Sequence, residues 1–61
     1  MHTPKSLEEK IKKANDAARP YLSCTDGSYE CALHHNGYYE LVELWERMTG
    51  KEFHFTNVIG E

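Results

Sequence analysis

The feature that most constrains this chain is a run of bulky apolar residues at helical spacing in its second half. Five such residues recur at intervals of three and four: Tyr38, Leu41, Val42, Trp45 and Met48. This spacing places them along one face of an α-helix. Gly50 follows, and glycine commonly ends a helix by adopting a left-handed conformation. The pattern predicts a helix over about 37–49 that supplies most of the core, because burying one large side chain contributes about 1.5–3 kcal/mol.

A second helical stripe lies near the start of the chain. Its apolar members are spaced by three or four residues: Leu7, Ile11, Ala14 and Ala18. Thr3 and Pro4 suit a helix start, since threonine caps the first turn and proline fits its first position. Pro20 biases the residue before it away from helical geometry. We therefore expect a helix over about 4–19, which needs a bulky surface to pack on because half of its stripe is alanine.

Two segments have the alternating pattern of strands. Around Asp26 and Gly27, a pair that favours a tight turn, residues 21–33 read as a hairpin, with a structured loop as the alternative. Phe53 and Phe55 alternate with polar residues over 52–58, which predicts a strand that pairs with 28–33 or with a second copy. The expected fold is α+β: one domain over 1–61, with two amphipathic helices packed on a small antiparallel sheet made of the hairpin and the C-terminal strand.

A chain of 61 residues buries only roughly 60% of its unfolded surface, so small proteins usually add a disulfide, a metal or a partner subunit. Cys24, Cys31, His34 and His54 are donors of the kind that bind Zn²⁺. The spacing lacks a Cys-x-x-Cys knuckle, and the alternative is two buried reduced cysteines with histidines facing solvent. We favour no cofactor and keep zinc as the lesser possibility. Whether the two cysteines are free, bridged or metal-bound is open at this point.

Charge and motifs exclude several functions. The net charge is −3, with a net +2 over residues 1–22 and a net −5 over 23–61. An acidic chain is poorly suited to nucleic acid, whose phosphates need lysine and arginine. There is no long apolar run for a membrane span and no signal peptide, so we expect a cytoplasmic protein. No nucleophile motif or phosphate-binding glycine loop occurs, and we expect no enzymatic activity.

Seven aromatic residues are more than a core of this size needs. Tyrosine and tryptophan commonly anchor protein interfaces. Tyr38, Tyr39, Glu40 and Glu43 form the acidic, aromatic surface that we predict contacts a partner, with Tyr39 lying off the apolar stripe. The predicted function is a protein-binding regulator or inhibitor, acting through this helix face or the last strand's edge. We expect the chain to form a homo-oligomer. Its size is typical of the short accessory proteins that bacteria and their phages encode. The alternative is a zinc-stabilised nucleic-acid-binding module.

Overall fold

The computed structural model describes residues 2–21 and 28–60, and within those ranges all regular secondary structure is helical. The four α-helices are α1 (Pro4–Ala18), α2 (Ser28–His35), α3 (Tyr38–Thr49) and α4 (Phe55–Val58). A 3₁₀ turn, Arg19–Tyr21, continues α1. The expected α+β fold is therefore wrong, and the molecule is a small helical globule.

Local signals in the sequence fix the ends of α1. The Ser6 amide donates a hydrogen bond to Thr3 Oγ1 at 3.1 Å, and Pro4 occupies the first helical position. At the other end, the α-helix gives way to the 3₁₀ turn at Arg19, directly before Pro20. The sequence predicted a helix over about 4–19, and the structure has Pro4–Ala18.

Two glycines in left-handed conformation bound α3. Gly37 has φ 74° and Gly50 has φ 69°, a region that glycine adopts without steric cost. The Gly50 amide donates to the Glu46 carbonyl at 2.8 Å, which closes the last turn. The sequence predicted a helix over about 37–49, and α3 spans Tyr38–Thr49.

The helices α1 and α3 run in opposite directions and pack along their lengths. Near one end, Trp45 Nε1 donates to Glu8 Oε2 at 3.0 Å, and Trp45 packs with the fully buried Leu7 and Ile11. Several half-buried residues surround this group: Tyr38, Leu41, Val42, Leu44, Phe53, Phe55 and Val58. We call the three buried residues, Leu7, Ile11 and Trp45, the Trp45 cluster, and they form the main core.

A smaller core lies at the other end, where α2 crosses α1 and α3. Its buried residues are Ala18, Ala32 and Leu33, with Tyr29 and Tyr38 packed against them. We call it the Ala18 cluster. Ala18 has no exposed surface, so its methyl group lets α2 approach the α1 backbone closely.

The predicted hairpin over 21–33 is wrong wherever the structure describes it, because residues 28–33 belong to α2. Residues 22–27 lie outside the described part of the chain. Tyr29, Ala32 and Leu33 are spaced by three and four residues, so the segment that alternates as a strand also has an apolar helical face. Contact between that face and Ala18 favours the helix, and tertiary packing of this kind commonly overrides local strand preference.

The predicted strand over 52–58 is also wrong. Residues 51–54 are irregular, and α4 forms a single turn that begins when the Val58 amide donates to the His54 carbonyl at 2.9 Å. With residues 28–33 helical, the expected pairing partner is gone. Phe53, Phe55 and Val58 instead pack against the Trp45 cluster. A helical turn allows all three side chains to do so, whereas a regular strand would place Val58 on the opposite face from Phe53 and Phe55.

Candidate partner-binding cleft

A cleft of about 690 Å³ opens where α1 ends, between α2, the start of α3 and α4. Its lining residues come from all four helices and from the 3₁₀ turn: Asn15, Arg19, Tyr29, Leu33, Tyr38, Tyr39, Phe55 and Thr56. We call it the tyrosine cleft, because it contains three of the chain's four tyrosines. Four of the eight residues are aromatic, one is leucine and three are polar or charged. An apolar wall with a few polar groups is typical of binding sites.

A buried polar pair joins α1 to α2 at this cleft. The Tyr29 hydroxyl donates to Asn15 Oδ1 at 2.6 Å, and Asn15 is buried. Burying an amide without a hydrogen-bond partner is costly. The Tyr29 hydroxyl supplies a donor to the buried Asn15 oxygen, and the bond links α2 to α1.

Tyr38 forms the inner wall of the cleft. It is half-buried and contacts both the Trp45 and Ala18 clusters. Burial raises the pKa of Tyr38 above its ordinary value of 10.0, and the nearby phenols of Tyr29 and Tyr39 raise that pKa further. Tyr38 is thus a neutral phenol at physiological pH and acts mainly as a packing residue.

Tyr39 stands at the rim. It is 43% exposed, yet two aromatic neighbours hold its ring. The His34 ring centroid lies 4.5 Å away at a tilt of 40°, and the Tyr38 ring lies 5.2 Å away in an edge-on arrangement of 84°. Edge-on and tilted contacts at these distances are attractive. The side chain is therefore both accessible and positioned.

The two predicted carboxylates lie on different edges of α3. Glu43 follows Tyr39 by four residues and shares its edge, where it forms an ion pair of 2.7 Å with Arg47. Glu40 is exposed but lies about 100° around the helix from Tyr39. The predicted surface therefore divides into three parts: Tyr38 on the inner wall, Tyr39 and Glu43 on one rim edge, and Glu40 on a different face of α3.

The four possible zinc ligands are not brought together in the part of the chain that is described. Cys31 is exposed, His34 stacks on Tyr39, and His54 Nε2 lies 3.7 Å from Glu52 Oε1. Cys24 lies outside the described residues. Over residues 2–21 and 28–60, no three His, Cys, Asp or Glu side chains converge in a group that could hold a metal ion.

Sequence reasoning missed several residues of the cleft, namely Asn15, Tyr29, Leu33 and Phe55. Asn15 had a usable signal, because it follows Ile11 by four residues and so lies beside the buried stripe of α1. A buried amide needs a partner from another element. Tyr29, Leu33 and Phe55 were assigned to strands, which concealed their convergence.

Comparison with protein families, with curated proteins and with solved structures finds no match to this chain. Among the described helices, none combines the length and apolar character needed to cross a membrane.

Proposed function

We propose that this chain is a small protein-binding domain that holds its partner through Tyr39 at the rim of the tyrosine cleft. The observation that carries this proposal is that an exposed ring has two aromatic supports: Tyr39 is 43% exposed, and its ring contacts His34 in a tilted arrangement and Tyr38 edge-on. A ring needed only for the core would be buried, as Trp45 is.

The support given to Tyr39 has a thermodynamic consequence. Ordering a mobile side chain on binding costs about 0.5–1.5 kcal/mol. A tyrosine has two side-chain torsions, and here its neighbours already restrict them. Binding through Tyr39 therefore loses little entropy, which is the usual advantage of rigid aromatic anchors.

The cleft beside Tyr39 is suited to receive an apolar or aromatic side chain of the partner. Its wall offers Leu33, Phe55 and three tyrosine rings, while the Asn15 Oδ1 atom already accepts a hydrogen bond from Tyr29. A volume of about 690 Å³ accommodates one or two large side chains.

A domain of this kind alters its partner by occupying a surface, so we extend the proposal to a regulator or inhibitor. Binding through the edge of a C-terminal strand is withdrawn, since residues 52–58 form no strand. The zinc-stabilised alternative gains no support from the described histidines and cysteine. Native mass spectrometry after incubation with Zn²⁺ addresses it directly, because a retained stoichiometric metal would restore that alternative.

The test of the main proposal uses two matched tyrosines. Tyr39 and Tyr21 are 43% and 46% exposed, but only Tyr39 borders the tyrosine cleft. We expect capture from a lysate of the source cell to recover a specific partner with the wild type and with Tyr21→Ala. Tyr39→Ala should bind that partner about 30-fold or more weakly, as an interface hot spot does.

The Tyr39→Ala protein must retain its helical circular dichroism for this comparison to hold, and its exposed position leads us to expect that it does. Equal partner binding by Tyr39→Ala and Tyr21→Ala would remove the tyrosine cleft as the contact surface.

A further inference from the structure

We propose that two copies of this chain associate through the side of the molecule away from the tyrosine cleft, where α3 presents Leu41, Leu44 and Met48 beside Lys10 and Lys13 of α1. We call this surface, together with Glu40, the dimer face. It goes beyond the partner-binding proposal, because it involves other residues and a different occupant: a second copy related by a two-fold axis.

The dimer face has an apolar stripe. Leu41, Leu44 and Met48 follow one another at intervals of three and four residues, so they share one edge of α3. Leu41 and Leu44 are half-buried and contact the Trp45 cluster, and Met48 is 44% exposed. On a helix of about 3.6 residues per turn, Leu44 and Met48 lie roughly 140–180° from Tyr39. The two surfaces can therefore act independently.

A groove of about 410 Å³ runs alongside this stripe, between α1 and α3. Leu41 and Asn36 line one side of the groove, and α1 lines the other side, with Lys10 and Lys13 at its edge. Because the two lysines are positively charged and lie beside apolar side chains, this surface favours an occupant that combines an apolar edge with carboxylates. The α3 helix of this same chain has that combination.

The charges on the dimer face are free to pair with another molecule. Lys13 and Glu40 are both exposed, and neither has an ion pair within residues 2–21 and 28–60. Glu43 differs, since Arg47 already neutralises it at 2.7 Å. Lys10 Nζ is 3.3 Å from His2 Nδ1, an exposed contact that water can replace.

Charge complementarity identifies the occupant as a second copy. A two-fold contact presents the same surface on both sides and must be complementary to itself. The dimer face meets this condition, because it carries a cation on α1 and an anion on α3 on either side of one apolar stripe. Rotation by 180° about an axis through the stripe directs Glu40 of each copy toward Lys13 of the other.

The size of the core also favours association. In the described part of the chain only seven apolar residues are buried, and three of them are alanines. Chains of this length usually need an additional source of stability, and oligomerisation is one of the common ones. Covering Leu44 and Met48 supplies apolar burial that a single copy lacks.

Sedimentation equilibrium of the purified chain tests the proposal. We expect twice the chain mass at micromolar concentration for the wild type. Lys13→Glu and Glu40→Lys, each alone, should raise the dimer dissociation constant about ten-fold or more, because each creates two symmetry-related like-charge contacts.

Mixing the two variants is the decisive arm. In the heterodimer, one contact is the original pair of Lys13 with Glu40. The other contact has the two charges exchanged, with the introduced glutamate at position 13 facing the introduced lysine at position 40. Both contacts join opposite charges, so wild-type affinity should return. Failure of the mixture to recover, with both variants still helical by circular dichroism, would overturn the proposed pairing. A wild type that remains monomeric up to about millimolar concentration would overturn the dimer itself.

Met48→Glu tests the apolar stripe. Because Met48 is 44% exposed, the variant should keep its fold and lose dimerisation. Tyr39→Ala is the matched control, since it alters an equally exposed residue on the other edge of α3 and should remain dimeric. Dimerisation that survives Met48→Glu and disappears in Tyr39→Ala would place the interface at the tyrosine cleft and contradict the inference.

Discussion

The two ends of the α1–α3 pair are packed with side chains of very different size. At one end, the Trp45 cluster combines an indole ring with Leu7 and Ile11. At the other, the Ala18 cluster has two alanines and one leucine as its buried members. Large side chains remove more apolar area from water, so the Trp45 cluster supplies most of the stability. Small side chains let backbones approach closely, and the two tyrosines beside them, Tyr29 and Tyr38, are half-buried and line the tyrosine cleft.

Trp45 is held on several sides. Its ring meets Phe53 edge-on at 5.3 Å and 78°, and its Nε1 atom bonds Glu8. The Glu46 carboxylate, one residue further along α3, accepts a hydrogen bond of 2.9 Å from the Phe53 amide. The C-terminal segment is thereby attached to the Trp45 cluster by both packing and polar contacts.

The largest expected effect comes from removing the indole. Trp45→Ala should lower the free energy of unfolding by about 3–5 kcal/mol, the usual cost of deleting a buried aromatic residue. A domain of this length has roughly 3–9 kcal/mol in total. The variant should therefore be largely unfolded in a urea titration followed by circular dichroism. Trp45→Phe is the control, and it should lose much less. A Trp45→Ala midpoint equal to the wild type would refute the role given to this cluster.

The Ala18 cluster should be sensitive to added volume. Ala18→Leu is expected to cost about 1–3 kcal/mol, because α2 lies against a methyl group with no free surface. Ala17 is the adjacent alanine on the same helix and is exposed. Ala17→Leu should change the free energy of unfolding by less than about 0.5 kcal/mol. Equal effects of the two substitutions in thermal unfolding would mean that α2 does not pack closely on α1.

A smaller effect is expected from the polar pair in the cleft. Tyr29→Phe keeps the ring but leaves the buried Asn15 without its donor, at a cost of about 1–2 kcal/mol. Tyr21→Phe removes an exposed hydroxyl and should have no measurable effect on urea unfolding. If both variants matched the wild type, the bond between Tyr29 and Asn15 would contribute nothing to the attachment of α2.

The smallest effect concerns alkaline pH. The folded state raises the pKa of Tyr38, so its phenol proton stabilises the fold below the unfolded pKa of about 10. This stability is lost as the pH rises through the folded pKa. Between about pH 8 and pH 11 the wild type should lose more free energy of unfolding than Tyr38→Phe does. Parallel curves for the two proteins would contradict the raised pKa.

The two long helices could be predicted because their apolar stripes are long and their ends are marked locally. Thr3 and Pro4 begin α1, and Gly50 ends α3. The sequence could not show that the predicted sheet is wrong. Residues 28–33 are too few to distinguish the pattern of a strand from that of a helix. Residues 28–33 form a helix because they contact Ala18, which lies ten or more positions earlier in the chain. A local sequence pattern carries no information about that contact.

The candidate site could be predicted only in part, for the same reason. Tyr39 lies off the apolar stripe of α3 and is exposed, as the sequence indicated, while its binding role stays a prediction. The predicted acidic, aromatic surface also includes Glu40, although adjacent helical residues such as Tyr39 and Glu40 face different directions. Most of the remaining lining residues come from α2 and α4, where the sequence predicts strands, and Asn15 and Arg19 come from α1 and the 3₁₀ turn.

The most direct test of the contrast between the two clusters is amide hydrogen exchange of the intact wild-type chain, read residue by residue. Amides of α1 beside the Trp45 cluster, such as Ile11, should exchange only on global unfolding. Amides of α2, such as Leu33, should exchange through a smaller opening, because few large side chains hold that helix. Equal opening free energies for Ile11 and Leu33 would contradict the account, since both clusters would then hold the fold equally.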